Sequence, residues 1–294
     1  MASYTFKQFQ ADYPDDAACL DKVMAMLYGG TEFECPACQR QSKFHRIAKR
    51  RAYACQHCGH HVYPCVGTPF EKSRTPLTSW FFAMYLMTST RHGVAAKELE
   101  RQLGVTYKTA WRMAHELRKL MAQADYHGPM SGTVEVDETY VGGKRPGKRG
   151  RGAAGKTVVF GMIERDGPVR AGPVPDVRRD TLEPVILTNV QRGSIIMSDE
   201  LKSYDRLRRS GPYTHLRVNH AVKEYAYGGV HVNTLEGYWS RLKNSVRGTH
   251  VHVSGKHLWK YVSEFSYRYN MRKSPETMFH RLTLAFALPR LTDD

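Results

Sequence analysis

The fold of this chain is indicated by the stretch Val134-Glu135-Val136-Asp137-Glu138-Thr139-Tyr140-Val141-Gly142-Gly143. It predicts a β-strand, because β-branched and aromatic residues favour a pleated surface and two glycines end the pattern. A carboxylate in the middle of such a strand is costly unless it is paired or bound to a metal. Asp137 is therefore a candidate metal ligand, and we expect acidic partners elsewhere in the chain.

Two further acidic residues have comparable settings. Asp199 follows the apolar run 195–197, and Glu236 stands at the start of a predicted helix. We expect Asp137, Asp199 and Glu236 to converge in space and to hold two divalent metal ions. Their hard carboxylate oxygens favour Mg²⁺ or Mn²⁺.

The predicted helix that carries Glu236 runs from about 234 to 246. Lys243 lies seven residues after Glu236, which is two helical turns, so both side chains share one face. That face can present a carboxylate to a metal and an ammonium group to a phosphate. Asn233 precedes the helix and either caps it or contributes an oxygen to the site.

The order of predicted elements around Asp137 indicates the fold class. Three strands are followed by helix, strand, helix, strand and helix, and Asp166-Gly167 is a hairpin signal between the second and third strands. This order is typical of a mixed α/β domain with an RNase H-like sheet and helices on its faces. We predict such a catalytic domain over residues 133–273.

The net charge of +16 predicts a polyanionic partner, with nucleic acid as the leading candidate and an anionic membrane surface as the alternative. The sequence contains no apolar run of 18 residues, and its first residues lack the pattern of a signal peptide. We therefore expect a cytoplasmic, nucleoid-associated protein. In that compartment the six cysteines are expected to bind metal rather than form disulfides.

Two Cys-x-x-Cys pairs, 16 residues apart, lie within residues 31–66. This spacing predicts a zinc ribbon, and four thiolates satisfy tetrahedral zinc with no open position, so the site would be structural. A redox dithiol, unrelated cysteines or substitution by a nearby histidine are the alternatives. We expect Cys19 and Cys65 to be buried instead. The predicted zinc ligands are Cys35, Cys38, Cys55 and Cys58.

Residues 67–124 are predicted to be helical, and two of their helices, 95–103 and 106–117, are joined by Gly104-Val105. The pattern resembles a helix-turn-helix, whose second helix would enter the major groove of DNA. A generic helical hairpin is the alternative. The predicted DNA contacts on the second helix are Tyr107, Lys108, Thr109 and Arg112.

A basic segment at 144–152 contains glycine and proline, which prevent regular structure. We expect this loop to become ordered on a phosphate backbone, and a merely solvated basic loop is the alternative. An N-terminal helical segment at 1–30 and a C-terminal helix and tail at 274–294 complete the predicted domains. Further predicted DNA contacts are Lys144, Arg145, Lys148, Arg149, Arg151, Asn233 and Arg247.

Four motifs occur together in a characteristic order. They are Cys-Pro-Ala-Cys at 35–38, Val-Asp-Glu-Thr-Tyr-Val-Gly-Gly-Lys at 136–144, Ser-Asp at 198–199, and His-Val-Asn-Thr-Leu-Glu-Gly-Tyr-Trp-Ser-Arg-Leu-Lys at 231–243. With them the chain resembles a bacterial insertion-sequence transposase of the ISXO2-like type, related to Merlin elements, over residues 20–272. Such proteins have an N-terminal zinc ribbon, a helix-turn-helix and an RNase H-like DDE domain.

The resemblance implies that Asp137, Asp199 and Glu236 form the catalytic triad and that Lys243 is the basic residue seven positions later. Some relatives use asparagine as the third residue, so Asn233 remains an alternative to Glu236. The spacings of 62 and 37 positions fit such domains.

The resemblance further implies a DNA transposase that binds terminal inverted repeats, cleaves at transposon ends and transfers the 3′-OH to target DNA. Catalysis would use two Mg²⁺ or Mn²⁺ ions, while Zn²⁺ would be structural. Two ends must be cut in concert, so a homodimer on double-stranded DNA is expected. A DNA-binding regulator and an RNase H-like nuclease without strand transfer are the competing functions.

Overall fold

The chain forms two compact units, one from Met1–Ala124 with Lys273–Asp294 and the other from Asp125–Arg272. Within the described residues, no helix is both long and apolar enough to cross a membrane. The computed structural model describes residues 4–142, 155–199, 201–204, 212–217 and 232–291.

The N-terminal segment contains two helices, α1 (Phe6–Asp12) and α2 (Asp16–Tyr28). Pro14 separates them, because proline and the residue before it disfavour continuation of a helix. The side chain of Asp15 caps α2 by accepting a hydrogen bond from a first-turn amide at 2.8 Å. Gly29 ends α2 with a left-handed φ of 73°, which glycine adopts at little cost.

A small antiparallel sheet follows, with its four strands in sequential order. The turns between β1 and β2 and between β3 and β4 carry the two Cys-x-x-Cys pairs. Both pairs therefore sit in tight turns at strand ends. The strands are β1 (Glu32–Glu34), β2 (Gln41–Arg46), β3 (Tyr53–Cys55) and β4 (His61–Val62).

Three helices continue the first unit: α3 (Leu77–Ser89), α4 (Ala96–Leu103) and α5 (Tyr107–Ala124). The apolar α3 is buried on several sides, as its sequence predicts. Gly104 ends α4 with a φ of 62°, and Thr106 accepts a hydrogen bond from an amide in the first turn of α5 at 3.3 Å. The helical pair and its short turn thus follow the predicted pattern.

In the second unit, a five-stranded mixed sheet has the order β7-β6-β5-β8-β9. The strands β5, β6 and β7 form an antiparallel meander, while β8 and β9 run parallel to β5. The predicted mixed α/β class is confirmed. The strands are β5 (Thr133–Val141), β6 (Thr157–Glu164), β7 (Val169–Val174), β8 (Ile195–Ser198) and β9 (Thr214–Arg217).

Helices cover both faces of this sheet. Helix α6 (Arg179–Asn189) packs with the apolar cluster that includes Val136 on one face. Helices α7 (Asn233–Ser245) and α8 (Gly255–Asn270) pack with the cluster that includes Val141 on the other face. Alternate residues of β5 therefore serve two separate cores, as the period of a strand requires.

The C-terminal segment belongs to the first unit. We predicted a C-terminal helix and tail over 274–294, and the helix spans Met278–Leu284 and is flanked by short 3-10 turns. Its Phe279 contacts the ring of Phe81 with centroids 6.4 Å apart. Aromatic packing therefore holds this segment against α3.

Helix α7 approaches the sheet closely at Gly161 of β6, where the Trp239 ring covers the strand. A Cβ atom at position 161 would lie 2.6 Å from two carbons of that ring. Gly161 is also the register partner of Asp137 across the β5–β6 pair. The absence of a side chain at this point is what allows the indole to lie beside the central strand.

We predict that Gly161→Ala lowers the free energy of unfolding by about 1–3 kcal/mol, because the added methyl group overlaps the Trp239 ring. Gly172→Ala on the neighbouring strand β7 is the matched control, since a Cβ there meets no atom within 4 Å. Urea unfolding of both variants measures the difference. Equal stabilities would contradict the packing described for α7.

Candidate active site

The register of two parallel strands brings the first two predicted acids together. Strand β8 pairs with β5 from Ile195 opposite Thr133 to Ser198 opposite Val136. The next residue on each strand is an aspartate, Asp137 on β5 and Asp199 just beyond the end of β8. Two residues 62 positions apart in sequence thus become neighbours through main-chain pairing alone.

Carboxylate oxygens of Asp137, Glu138 and Asp199 lie within 4.8 Å of one another. Sequence reasoning missed Glu138, because adjacent strand residues ordinarily point to opposite faces of a sheet. The hydroxyl of Tyr204 donates a hydrogen bond to Glu138 Oε2 at 3.2 Å and helps to fix this carboxylate. The only local signal for Glu138 is the acidic doublet that it forms with Asp137.

The surroundings of Asp137 make its negative charge costly. Burial raises the pKa of Asp137, and the charges on Glu138 and Asp199 raise it further, to about 7. A hydrogen bond from Trp239 Nε1 to Asp137 Oδ2, 3.0 Å long, opposes this shift. Crowded hard oxygen ligands of this kind fit a divalent cation such as Mg²⁺ or Mn²⁺, whose charge would relieve the repulsion.

Helix α7 places the remaining predicted catalytic residues. Glu236 is exposed on its first turn and is not part of the three-carboxylate cluster. It precedes Trp239 by three residues, so the two side chains are neighbours on the helix surface, but only Trp239 contacts Asp137. Asn233 is also exposed and is the first residue of the helix, not its cap; Val232 occupies that position.

Lys243 lies half-buried two turns further along α7. Burial lowers the pKa of Lys243, and the neighbouring charge of Arg247 lowers it further, while the carboxylate of Asp137 raises it. Lys243 therefore lies within the electrostatic field of the acidic cluster. Arg247 is exposed at the start of the turn that follows the helix.

A buried carboxylate holds the N-terminus of α7 to the central strand. Glu135 is fully buried on β5. It accepts hydrogen bonds from Thr234 Oγ1 at 2.9 Å and from the Leu235 amide at 3.1 Å. Arg165 Nε donates a third, at 3.2 Å. No local sequence pattern singles out Glu135, because its partners lie 30, 99 and 100 residues away.

The predicted DNA contacts on α5 have different environments. Tyr107 and Lys108 are exposed and Thr109 is half-buried. Arg112 instead lies 5.4 Å from the ring centroid of Trp80 and donates a hydrogen bond to Ser73 Oγ at 3.4 Å. The predicted contacts Lys144, Arg145, Lys148, Arg149 and Arg151 lie outside the described residues.

The four cysteines of the ribbon converge in the first unit, and their sulfur atoms lie within 4.8 Å of one another. The Sγ atoms of Cys35 and Cys58 are 3.7 Å apart, and those of Cys38 and Cys55 are 3.9 Å apart. Tetrahedral zinc with bonds of about 2.3 Å separates its sulfur ligands by about 3.8 Å, so the cluster fits zinc. Buried Cys19 and Cys65 lie outside the cluster.

We predict that the purified chain carries about one tightly bound zinc ion and that Cys58→Ser releases it, because a structural zinc site requires all four ligands. Cys65→Ala is the control, since this buried cysteine is not part of the cluster. Elemental analysis after gel filtration measures the retained zinc. Equal zinc contents in the two variants would contradict the assignment.

We also predict that Asp137→Asn stabilises the protein in magnesium-free buffer at pH 8. A pKa raised in the folded state means that ionised Asp137 costs stability, on the order of a few kcal/mol above pH 7. This cost falls as pH decreases through 7 toward the unfolded value near 4. The melting temperature of the variant should therefore exceed that of the wild type at pH 8, and the difference should shrink by more than half at pH 5.

Exposed Asp180 provides the control for this experiment, since Asp180→Asn removes an acidic group from a different part of the second unit. Added Mg²⁺ should stabilise the wild type more than Asp137→Asn. A stability difference that stays constant from pH 8 to pH 5 would show that Asp137 is not under electrostatic strain.

Comparisons with known proteins agree with this geometry. A family model described as "ISXO2-like transposase domain" matches residues 129–270, and one described as "Transposase zinc-ribbon domain" matches residues 14–61. An uncharacterized protein in transposable element ISH50 of Halobacterium salinarum is 28% identical over 261 residues, which cover 82% of this chain and 86% of that protein.

An uncharacterized transposase-like protein of Haemophilus influenzae is 30% identical over 97 residues, which cover 33% of this chain and 76% of that protein. The two family models together span the zinc ribbon and the sheet that holds the acidic cluster. The chain belongs to the ISXO2-like family of insertion-sequence DDE transposases with an N-terminal zinc ribbon.

Proposed function

We propose that the chain binds the terminal inverted repeats of its element, cleaves DNA at the element's ends and transfers the 3′-OH to target DNA by two-metal-ion phosphoryl transfer. The observation that carries this proposal is the parallel register that sets Asp137 beside Asp199. Family membership supports DNA as the substrate, and the net charge of +16 suits a polyanion.

In this proposal Asp137, Asp199 and Glu236 hold the divalent metals. When bound, Mg²⁺ or Mn²⁺ would supply Lewis-acid activation of a water or 3′-OH nucleophile and stabilise the leaving oxygen. Trp239 orients the Asp137 carboxylate through its hydrogen bond. Lys243, in the field of Asp137, would bind the phosphate next to the reacting bond.

We propose RNase H-like topology for the second unit, supported by the strand order and by helices on both faces of the sheet. We propose a helix-turn-helix for α4 and α5, supported by their short turn and by the threonine cap of the second helix. The residues proposed to contact DNA are Tyr107, Lys108, Thr109, Arg112, Asn233, Arg247 and the basic side chains of 144–152. A homodimer would engage both ends of the element.

The test is cleavage and joining of labelled DNA that carries the ends of the element, with Mg²⁺. We expect the wild type to perform both reactions and Asp137→Ala to lose both by more than about a hundredfold, because a ligand to the metals is removed. Asp180→Ala should retain both reactions, since Asp180 is an exposed residue on α6.

Each departure from this result identifies a different function. Cleavage without joining by the wild type would indicate an RNase H-like nuclease without strand transfer. Binding to the ends with no cleavage by any variant would indicate a DNA-binding regulator. Equal activity of Asp137→Ala and the wild type would contradict the proposed catalytic site.

A further inference from the structure

A cleft of about 240 Å³ opens beside the acidic cluster in the second unit. One rim is the end of β5, three residues beyond Asp137, and the other is the segment that follows α7. Lys243 and Arg247 are already proposed to contact DNA, but the other residues that line this cleft have no proposed role. Its lining residues are Tyr140, Val141, Gly142, Lys243, Val246, Arg247, Val251, His252 and Val253.

The cleft is both cationic and apolar. Lys243 and Arg247 line it, and the charges of Arg247 and Lys156 lower the pKa of Lys243, so like charges converge at this point. The buried valines Val141 and Val253 also line the cleft and form its valine wall. A ligand that suits this combination has an anionic group attached to a flat, weakly polar body.

The backbone next to the cleft is strained. Helix α7 continues into a π-helical turn, Val246–His250, and Val251 follows with φ 63° and ψ −57°. The His252 amide donates to the His250 carbonyl at 2.6 Å, which closes a γ-turn around Val251. Positive φ is rare for a β-branched residue, and such strain persists where the surrounding structure enforces it.

This strained turn presents an apolar side chain to solvent. Val251 is 82% exposed, a larger fraction than any other large apolar side chain in the described part of the chain. Because the side chain is exposed, packing in a core does not explain why this position holds a valine. Proteins that bend or open DNA often insert an exposed apolar side chain at a base step, where it replaces stacking contacts.

We propose that the cleft binds one nucleotide of the transposon end that is unstacked from the duplex, with Val251 occupying the space that its base leaves. The phosphate would contact Lys243 and Arg247, and the base would lie against Tyr140 and the valine wall. The cleft is smaller than the roughly 300–1,000 Å³ of most small-molecule pockets, which suits a single base.

This inference rests on the proposed function, because it requires DNA at the active site. The inference also gives a role to the distance along β5 between Asp137 and Tyr140. Three residues of strand span about 10 Å, so a nucleotide held at Tyr140 would lie within one or two nucleotides of a phosphate at Asp137. Unstacking next to the scissile bond would fix the position at which the strand is cut.

The test places 2-aminopurine, which fluoresces more strongly when unstacked, at successive positions around the cleavage site of the element's end. We expect the wild type to raise the fluorescence at one position on binding, with no divalent metal added. Val251→Gly should abolish that rise and slow cleavage of paired DNA by about tenfold. A mismatch at the same position should restore the cleavage rate, because the mismatched base is already easier to unpair.

Glycine accepts positive φ, so Val251→Gly relieves strain and should not lower the melting temperature. Leu187→Gly on α6 is the control for removal of an exposed apolar side chain and should leave the fluorescence rise intact. Binding without a fluorescence rise at any position, or a rise unchanged in Val251→Gly, would overturn the inference. Absence of metal-dependent cleavage by the wild type would instead count against the proposed function, since the fluorescence experiment needs only binding.

Discussion

The buried carboxylate of Glu135 is the interaction on which the active-site unit depends. Helix α7 begins without a side-chain cap of its own, and its first amides would otherwise lack partners. Glu135 supplies an acceptor from the central strand to Leu235 and Thr234, and Arg165 balances its charge. A carboxylate at a helix N-terminus also complements the helix dipole. Because Glu135 is two residues before Asp137 on β5, the same contact sets the distance between this part of β5 and α7.

Two independent constraints therefore assemble the site. Main-chain pairing of β5 with β8 places Asp199 beside Asp137, and a slip of one residue would move every side chain of the strand to the other face. The Glu135 contact places α7, and Trp239 then reaches Asp137 across Gly161. Neither constraint depends on an ion pair of Asp137. Contacts elsewhere in the unit offset the cost of the repulsion among Asp137, Glu138 and Asp199.

The sequence predicted those features that depend on local pattern. The β-branched run indicated β5, the region 67–124 predicted to be helical contains α3, and paired cysteines at a fixed spacing identified the ribbon. It did not predict the features that depend on tertiary contact. Glu138 belongs to the acidic cluster because folding brings Asp199 from a distant segment close to it. Glu135 binds residues to which no sequence periodicity connects it. The C-terminal helix was predicted, but the sequence pattern did not indicate the short 3-10 turns that flank it.

The site contains a group of acidic side chains around Asp137 and a neighbouring group of basic side chains around Lys243. Each group is unfavourable by itself, because like charges lie close together. Burial and the neighbouring carboxylates raise the pKa of Asp137, and burial with nearby cations lowers the pKa of Lys243. Mutual attraction relieves only part of either cost, because their pKa values remain shifted in the unfavourable direction. Divalent cations would offset the first cost and DNA phosphates the second. Under the proposed function, bound metal ions and DNA offset these two costs, and buried contacts such as those of Trp239 and Glu135 keep the site rigid.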